Sequence, residues 1–259
     1  MTAEDLTIPV GKYDFVWATH DRAPPRPGMP EPPLILMIHG FPGDSRSYGN
    51  VFGEVSAHIV KGGFHTLRFD LRGCGQSNKA AQFFTLKSAH EDCMSVLRWA
   101  EKLGYKKFYL IAEGLGATIA VTALTDAFRP MIAGMVFLWP ILDMKQSWLA
   151  SFPAMAAEAQ KAGLDHIVLD NANVGFDFSR EVETYNLTPL LGRITMPVMI
   201  HHGLGDEKAP PIQMEILRQE AGTDRLEFIT YSGGGHGLKN AAFREQLLRE
   251  TRDFLKKIR

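Results

Sequence analysis

FYLIAEGLG, from Phe108 to Gly116, couples an apolar run to a tight turn bounded by glycines. Phe108-Tyr109-Leu110-Ile111-Ala112 reads as a strand buried on both faces. Ala112-Glu113-Gly114-Leu115-Gly116 then turns sharply, and a helical stretch follows from Leu115. The same grammar extends outward in both directions. Upstream, Leu34-Ile35-Leu36-Met37-Ile38 ends at His39-Gly40, a helical stretch spans roughly Tyr48 to Val60, and Thr66-Leu67-Arg68-Phe69 reads as strand. A longer helix from about Leu86 to Leu103 carries Met94, Leu97, Trp99 and Leu103 at helical spacing. Downstream come the strand Met135-Val136-Phe137-Leu138-Trp139, the strand Val198-Met199-Ile200-His201-His202, a helix from Pro211, the strand Leu226 to Tyr231 and a last helix. Short apolar runs separated by helices are the pattern of a mostly parallel sheet covered on both faces. The expected class is α/β.

Two segments break that rhythm. At the start, Leu6–Val10 and Tyr13–Ala18 read as two edge strands joined around Gly11-Lys12. The Pro24–Pro33 stretch that follows reads as a stiff exposed connection. From about Ile141 to Thr195 an aromatic, Met-rich helical piece (Trp148, Phe152, Met155) precedes a β-like or irregular piece (Ile167-Val168-Leu169, Val174, Phe176, Phe178). This predicts a core in two parts, residues 1–140 and 196–259, with a cap inserted at 141–195. An insertion between strands of an open α/β sheet lies at the carboxyl edge, where ligands bind.

The chain has 259 residues, 45% hydrophobic and 22% charged, with 28 Lys and Arg against 29 Asp and Glu. A formal net charge of -1 carries no electrostatic footprint for nucleic acid or an anionic membrane. The basic end, Lys256-Lys257-Ile258-Arg259, fits the wet face of the last helix. Cys74 and Cys93 alone make no disulfide framework or Cys-rich zinc module. No apolar run approaches the ~20 residues of a membrane helix. The opening Met1-Thr2-Ala3-Glu4-Asp5 has no apolar h-region. The expectation is a cytoplasmic globular protein of open oligomeric state, without partners among nucleic acids or membranes.

The chemistry-bearing segments all sit where strands end. They are His39-Gly40-Phe41-Pro42-Gly43-Asp44, the turn Ala112–Gly116, Gly203-Leu204-Gly205-Asp206, and Gly233-Gly234-Gly235-His236-Gly237. Elbow, then Asp, then His is the chain order of an α/β-hydrolase triad. Together with Asp70-Leu71-Arg72-Gly73-Cys74-Gly75-Gln76-Ser77, similar to a D-x-R-G-x-G-x-S loop, they make the sequence resemble the α/β-hydrolase superfamily over nearly its whole length. The branch it looks most like comprises bacterial carboxylesterases, feruloyl or cinnamoyl esterases and related acyl hydrolases with a short cap. That resemblance implies an α/β-hydrolase fold, a small-molecule acyl ester or thioester as substrate, and no cofactor. It also implies that Asp206 orients His236 and that the backbone N–H groups of Phe41 and Leu115 form an oxyanion hole. Trp148, Phe152, Met155, Phe176 and Phe178 are the expected apolar wall of the substrate pocket.

The departure from the family pattern is at the elbow. Where the pattern small-x-Ser-x-Gly has its nucleophile, this chain has Gly114, which supplies neither oxygen nor sulfur for an acyl-enzyme. Thr118 lies a full helical turn further on. Cys74 fills a variable loop position. Glu113 adjoins the tip but, as a neighbouring residue on a strand end, is expected to point away. His201-His202 face opposite sides and have no partner pair at metal-ligand spacing. Asp143 is a secondary candidate for the acid. Three readings stand: an acyl-ester or thioester hydrolase impaired by loss of its nucleophile, a ligand-binding pseudo-hydrolase, or non-covalent chemistry with His236 as general base toward water.

Overall fold

The computed structural model describes residues 2–25, 27–28, 31–169 and 172–259. Within the proline-rich connection, Arg26, Met29 and Pro30 lie outside the described residues, as do Met1 of the opening segment and Asp170 and Asn171 of the predicted cap. The sheet strands are β1 (Thr2–Val10), β2 (Asp14–Arg22), β3 (Leu34–Ile38), β4 (His65–Phe69), β5 (Phe108–Glu113) and β6 (Ile132–Leu138). A small hairpin, β7 (His166–Leu169) and β8 (Ala172–Gly175), precedes the last two sheet strands, β9 (Val198–Gly203) and β10 (Leu226–Tyr231). The main sheet runs β1-β2-β4-β3-β5-β6-β9-β10. From β4 to β10 neighbouring strands are parallel, while β2 is antiparallel to both β1 and β4. Only β1 of the opening pair is therefore an edge. β2 is longer than its apolar pattern indicated, because Thr19–Asp21 also pair with β4.

The parallel strands alternate their side chains between two cores, as the period of two requires. Ile35, Met37, Tyr109, Ile111, Val136 and Leu138 pack with α1 (Val51–Lys61) and α8 (Ala241–Lys257). Leu34, Leu36, Ile38, Leu110, Ala112 and Phe137 point the other way, into a core shared with α2 (Leu86–Lys102) and α3 (Gly116–Thr122). Thr85 caps α2 with a reciprocal hydrogen-bond box to Ser88, which explains why that helix starts cleanly at Leu86. Tyr48–Asn50 form a separate short 3-10 turn before α1, since Gly49 and Asn50 take positive φ there.

Between β6 and β9 the chain makes two short 3-10 turns, α4 (Phe152–Lys161), the β7–β8 hairpin, α5 (Phe176–Thr184) and α6 (Thr188–Leu191). Phe176 and Phe178 thus lie on a helix rather than in β-like or irregular chain. Among the described residues the segment has no separate core: Phe152, Ile167, Val174, Phe178 and Val182 join the cluster that holds α2 and α3. α7 (Ile212–Glu220) packs Leu217 into the same cluster. Chain order reverses direction across the sheet between β3 and β5, so their carboxyl ends flank the crevice where open α/β sheets bind ligands.

Candidate active site

The turn after β5 is built by two glycines with different tasks. Gly116 opens α3 against the end of β3, where a Cβ would overlap the Ile38 carbonyl oxygen. Gly114 takes φ of +54°, a conformation that costs a side-chain-bearing residue about 1–3 kcal/mol. A Cβ built on Gly114 nevertheless meets nothing within 4 Å beyond its chain neighbours Glu113 and Leu115, and Gly114 lines a cavity. That cavity, about 570 Å³, is lined by Gly40, Phe41, Glu113, Gly114, Leu115 and His236, among others.

Asp206 and His236 arrive from adjacent parallel strands, β9 and β10. Asp206 is 2% exposed, and its Oδ1 accepts from the backbone N–H of Lys208 and Ala209, both at 2.9 Å. Its Oδ2 lies 2.9 Å from Nδ1 of His236, so the imidazole donates there and presents Nε2 to the cavity. Tyr48 sets an edge-on ring 5.7 Å from the imidazole, and Trp139 sets another at 6.0 Å. Asp143 is not part of this arrangement: its carboxylate accepts from the Lys145 N–H and the Gln146 amide.

The feature that sequence reasoning underweighted is Glu113. Its side chain bends into the cavity instead of away from it. Oε2 accepts from the Gly40 N–H at 3.0 Å and Oε1 from the Trp139 indole N–H at 2.6 Å. Oε1 also lies 3.8 Å from Nε2 of His236. Alternation does not hold here because the strand ends at Glu113 and the chain turns at Gly114, while donors from Gly40 and Trp139 fix the carboxylate. One signal was visible: an ionisable residue closing an otherwise apolar strand. Trp139 is itself fully buried at φ +37°, a strained conformation for a bulky residue.

Other candidates lie away from this chemistry. Thr118 is buried and donates to the Ile141 carbonyl at 2.6 Å. Cys74 is buried, and desolvation pushes its thiol up, away from the thiolate a nucleophile needs. His201 Nδ1 pairs with the Tyr231 hydroxyl at 2.8 Å and Nε2 with Thr251 at 3.0 Å, while burial lowers its pKa to about 3. His202 meets the Ala209 carbonyl at 2.8 Å. Among the described residues no His, Cys, Asp and Glu side chains group as a metal-ligand set.

Of the expected apolar wall, Trp148 and Met155 line the cavity, and Val168, Leu169 and Ile141 join them. Phe152 and Phe178 do not: both are fully buried, with rings 6.0 Å apart. Phe178 also packs edge-on against Phe41 and Phe84. Phe176 is partly buried against the same core and is not among the cavity-lining residues. Phe152 and Phe178 anchor the segment to the body, while Trp148, Met155, Val168 and Leu169 face the cavity. Lys208 also lines the cavity, its ammonium 5.3 Å above the Trp148 ring.

Two loops support the floor. Asp70 accepts from the Ser45 N–H at 2.6 Å and the Gln76 N–H at 2.9 Å, tying the loop after β4 to the loop after β3. Arg72 reaches back to Asp92 on α2 at 2.5 Å, and burial raises that carboxyl to about 6.

A family model described as the alpha/beta hydrolase fold matches residues 33–166, just over half of the sequence, and the chain belongs to that family. Proline iminopeptidase from Lactobacillus delbrueckii subsp. lactis is 25% identical over 156 residues, covering 57% of this chain and 47% of the relative. The match therefore spans about half the length of that curated relative. The solved structure of Est1E from Butyrivibrio proteoclasticus with ferulic acid bound superimposes with a TM-score of 0.79 at 22% identity, covering 98% of both chains. Mouse alpha/beta hydrolase domain-containing protein 10 gives a TM-score of 0.78 at 18% identity, covering 99% of this chain and 100% of that one. At these identities the structural likenesses establish the fold. Among the described residues no helix is long and apolar enough to cross a membrane.

Proposed function

We propose that this chain is an acyl-ester or thioester hydrolase-type protein whose elbow carries Gly114 where the reaction needs a nucleophile. The observation that carries the reading is the Asp206–His236 pair at 2.9 Å on the cavity that Gly114 opens into. A carboxylate in that position keeps the imidazole in one tautomer, with Nε2 free to take a proton. The N–H groups of Phe41 and Leu115 would stabilise the oxyanion, a role that depends on backbone placement. Without a nucleophile such a site loses on the order of 10⁶ in kcat, while ~10³–10⁴ over water persists from the oxyanion hole and binding. Trp148, Met155, Val168 and Leu169 favour an apolar acyl group, and the segment 141–195 serves as the cap that holds it. A second reading, direct attack by water with His236 as general base, is favoured by the Glu113 carboxylate beside Nε2.

The test is Gly114→Ser assayed on a panel of chromogenic esters and thioesters beside the unaltered protein. The new Cβ has room, so hydrolysis should rise by about 10²–10⁴-fold, less than the full ~10⁶ because Glu113 competes for Nε2. His236→Ala in the same background should remove the gain. The substitution should also cost about 1–3 kcal/mol of stability, measured by urea unfolding, from the positive φ. A variant that binds acyl-ester analogues yet never turns them over would make the cavity a receptor site.

A further inference from the structure

We propose that Glu113 and His236 together hold and activate a water molecule above Gly114, and that this water hydrolyses acyl thioesters directly, with no acyl-enzyme. The proposal rests on the hydrolase reading above and names its attacking group and substrate class.

The geometry begins with two acceptors that face each other. With Nδ1 donating to Asp206, the imidazole in its neutral form presents a lone pair at Nε2, and 3.8 Å away stands an oxygen of the Glu113 side chain. That distance is too long for a direct hydrogen bond, yet one water can lie within about 2.8 Å of both atoms. Such a water donates one proton to Oε1 and the other to Nε2, which relieves the lone-pair repulsion and turns its own lone pairs toward a bound carbonyl. Gly114 leaves the room: apart from its chain neighbours Glu113 and Leu115, nothing stands within 4 Å of the place its Cβ would occupy. Glu113 does not swing freely, because the Gly40 N–H and the Trp139 indole fix its two oxygens. A strained, fully buried tryptophan spent on holding one carboxylate is the kind of backbone cost that clusters at working sites.

The reaction balances without a co-reactant. The water oxygen bonds to the acyl carbon as its proton passes to Nε2, forming an imidazolium that Asp206 stabilises. The carbonyl electron pair moves to the oxyanion, facing the Phe41 and Leu115 N–H groups. When the intermediate collapses the C–S bond breaks, the sulfur keeps the electron pair, and the imidazolium returns its proton to the thiolate. Glu113 takes the remaining proton of the attacking water and releases it to solvent with the carboxylate product. Thiols ionise near pH 8.5, so a thiolate leaves readily without prior protonation. An alkoxide departs only as the imidazolium protonates it, so the thioester makes the smaller demand on proton delivery and is the favoured substrate.

The probes are S-butyryl-N-acetylcysteamine and its oxygen-ester counterpart, with hydrolysis followed by thiol or acid release. The unaltered protein should hydrolyse the thioester at least ~10-fold faster than the ester, and Glu113→Gln should lower kcat by about 10²-fold with little change in KM. Glu113→Asp keeps the charge but withdraws it by one methylene, so it should also lose kcat while remaining folded by circular dichroism. In a single turnover in H₂¹⁸O the butyrate should carry label from the first turnover. Unlabelled first-turnover butyrate would mean that Glu113 attacks covalently and would overturn the proposal, as would full kcat in Glu113→Gln. Activity in Gly114→Ser with none in the unaltered protein would overturn it while sparing the hydrolase reading. Inactivity of both proteins on every substrate would remove the two together.

Discussion

At the residue scale the site turns on three neighbours in space: Gly114, Glu113 and Trp139. Gly114 removes a side chain and a strain at one stroke, since glycine reaches positive φ without a Cβ clash. Glu113 lines the same cavity, and Trp139 supplies the indole donor that fixes it. Removing that donor leaves a buried carboxylate oxygen short of a partner. Trp139→Phe should therefore cost about 1–3 kcal/mol in urea unfolding and lower the proposed thioester hydrolysis as Glu113 loosens. An unchanged unfolding midpoint would show that the 2.6 Å contact contributes nothing. The carboxylate was legible as an ionisable residue closing an apolar strand, but its direction was not. Side-chain alternation describes a continuing strand, and this strand stops at the residue in question.

At the scale of elements, the strand-to-helix unit β5–α3 is the part whose construction was most legible. Its apolar run, its turn and its closing glycine are all local. Gly116 has a single task, to let α3 pass the end of β3, and Gly116→Ala should destabilise by about 1–3 kcal/mol through overpacking against the Ile38 carbonyl. The measurement is the denaturant midpoint, and a neutral substitution would mean that the helix can shift at no cost. Elements outside the sheet core were less legible. β2 looked like an edge because its apolar alternation is short, and its second neighbour, β4, lies far along the chain. The start of α5 read as irregular because Phe176 and Phe178, two apart, mimic a strand. Phe178 and Val182 in fact share the buried side of a helix.

At the scale of the whole molecule, buried histidines set how the fold responds to acid. Burial lowers His20, on β2, to about 4 and His201, on β9, to about 3. An unfolded chain binds protons on these groups below about pH 6.5 and the folded chain does not, so stability falls as pH drops through that value. Asp92 acts in the opposite sense: raised to about 6 by burial, it takes up a proton in the folded state first and so adds stability on acidification. Between pH 7 and pH 5 each histidine costs about 2 kcal/mol and Asp92 returns about 1 kcal/mol, a net loss of about 3 kcal/mol from the three groups. Urea titrations at both pH values should show it, and His201→Gln should shrink the loss by about 2 kcal/mol. An equal loss in the variant would place the acid sensitivity elsewhere.

Taken alone, the sequence determined what depends on local pattern and on chain order. Buried runs such as Leu34–Ile38 and Val198–His202 declare strands because both of their faces are apolar. The succession of His39-Gly40, Ala112–Gly116, Asp206 and His236 at strand ends points to the hydrolase arrangement, because parallel strands bring all their carboxyl ends to one edge. Gly114 was equally plain, since a missing side chain is a matter of identity. Only the tertiary structure decided which side chains face the cavity. Phe152 and Phe178 found aromatic partners in the body's core, among them Phe41 and Phe84, while Trp148 and Met155 line the cavity. Glu113 reached His236 because Gly40 and Trp139, on two other strand ends, offered donors at the right place. Burial preference is carried by each residue and can be read in one dimension. The direction of a side chain is set by partners distant in sequence, and those partners meet only when the chain has folded.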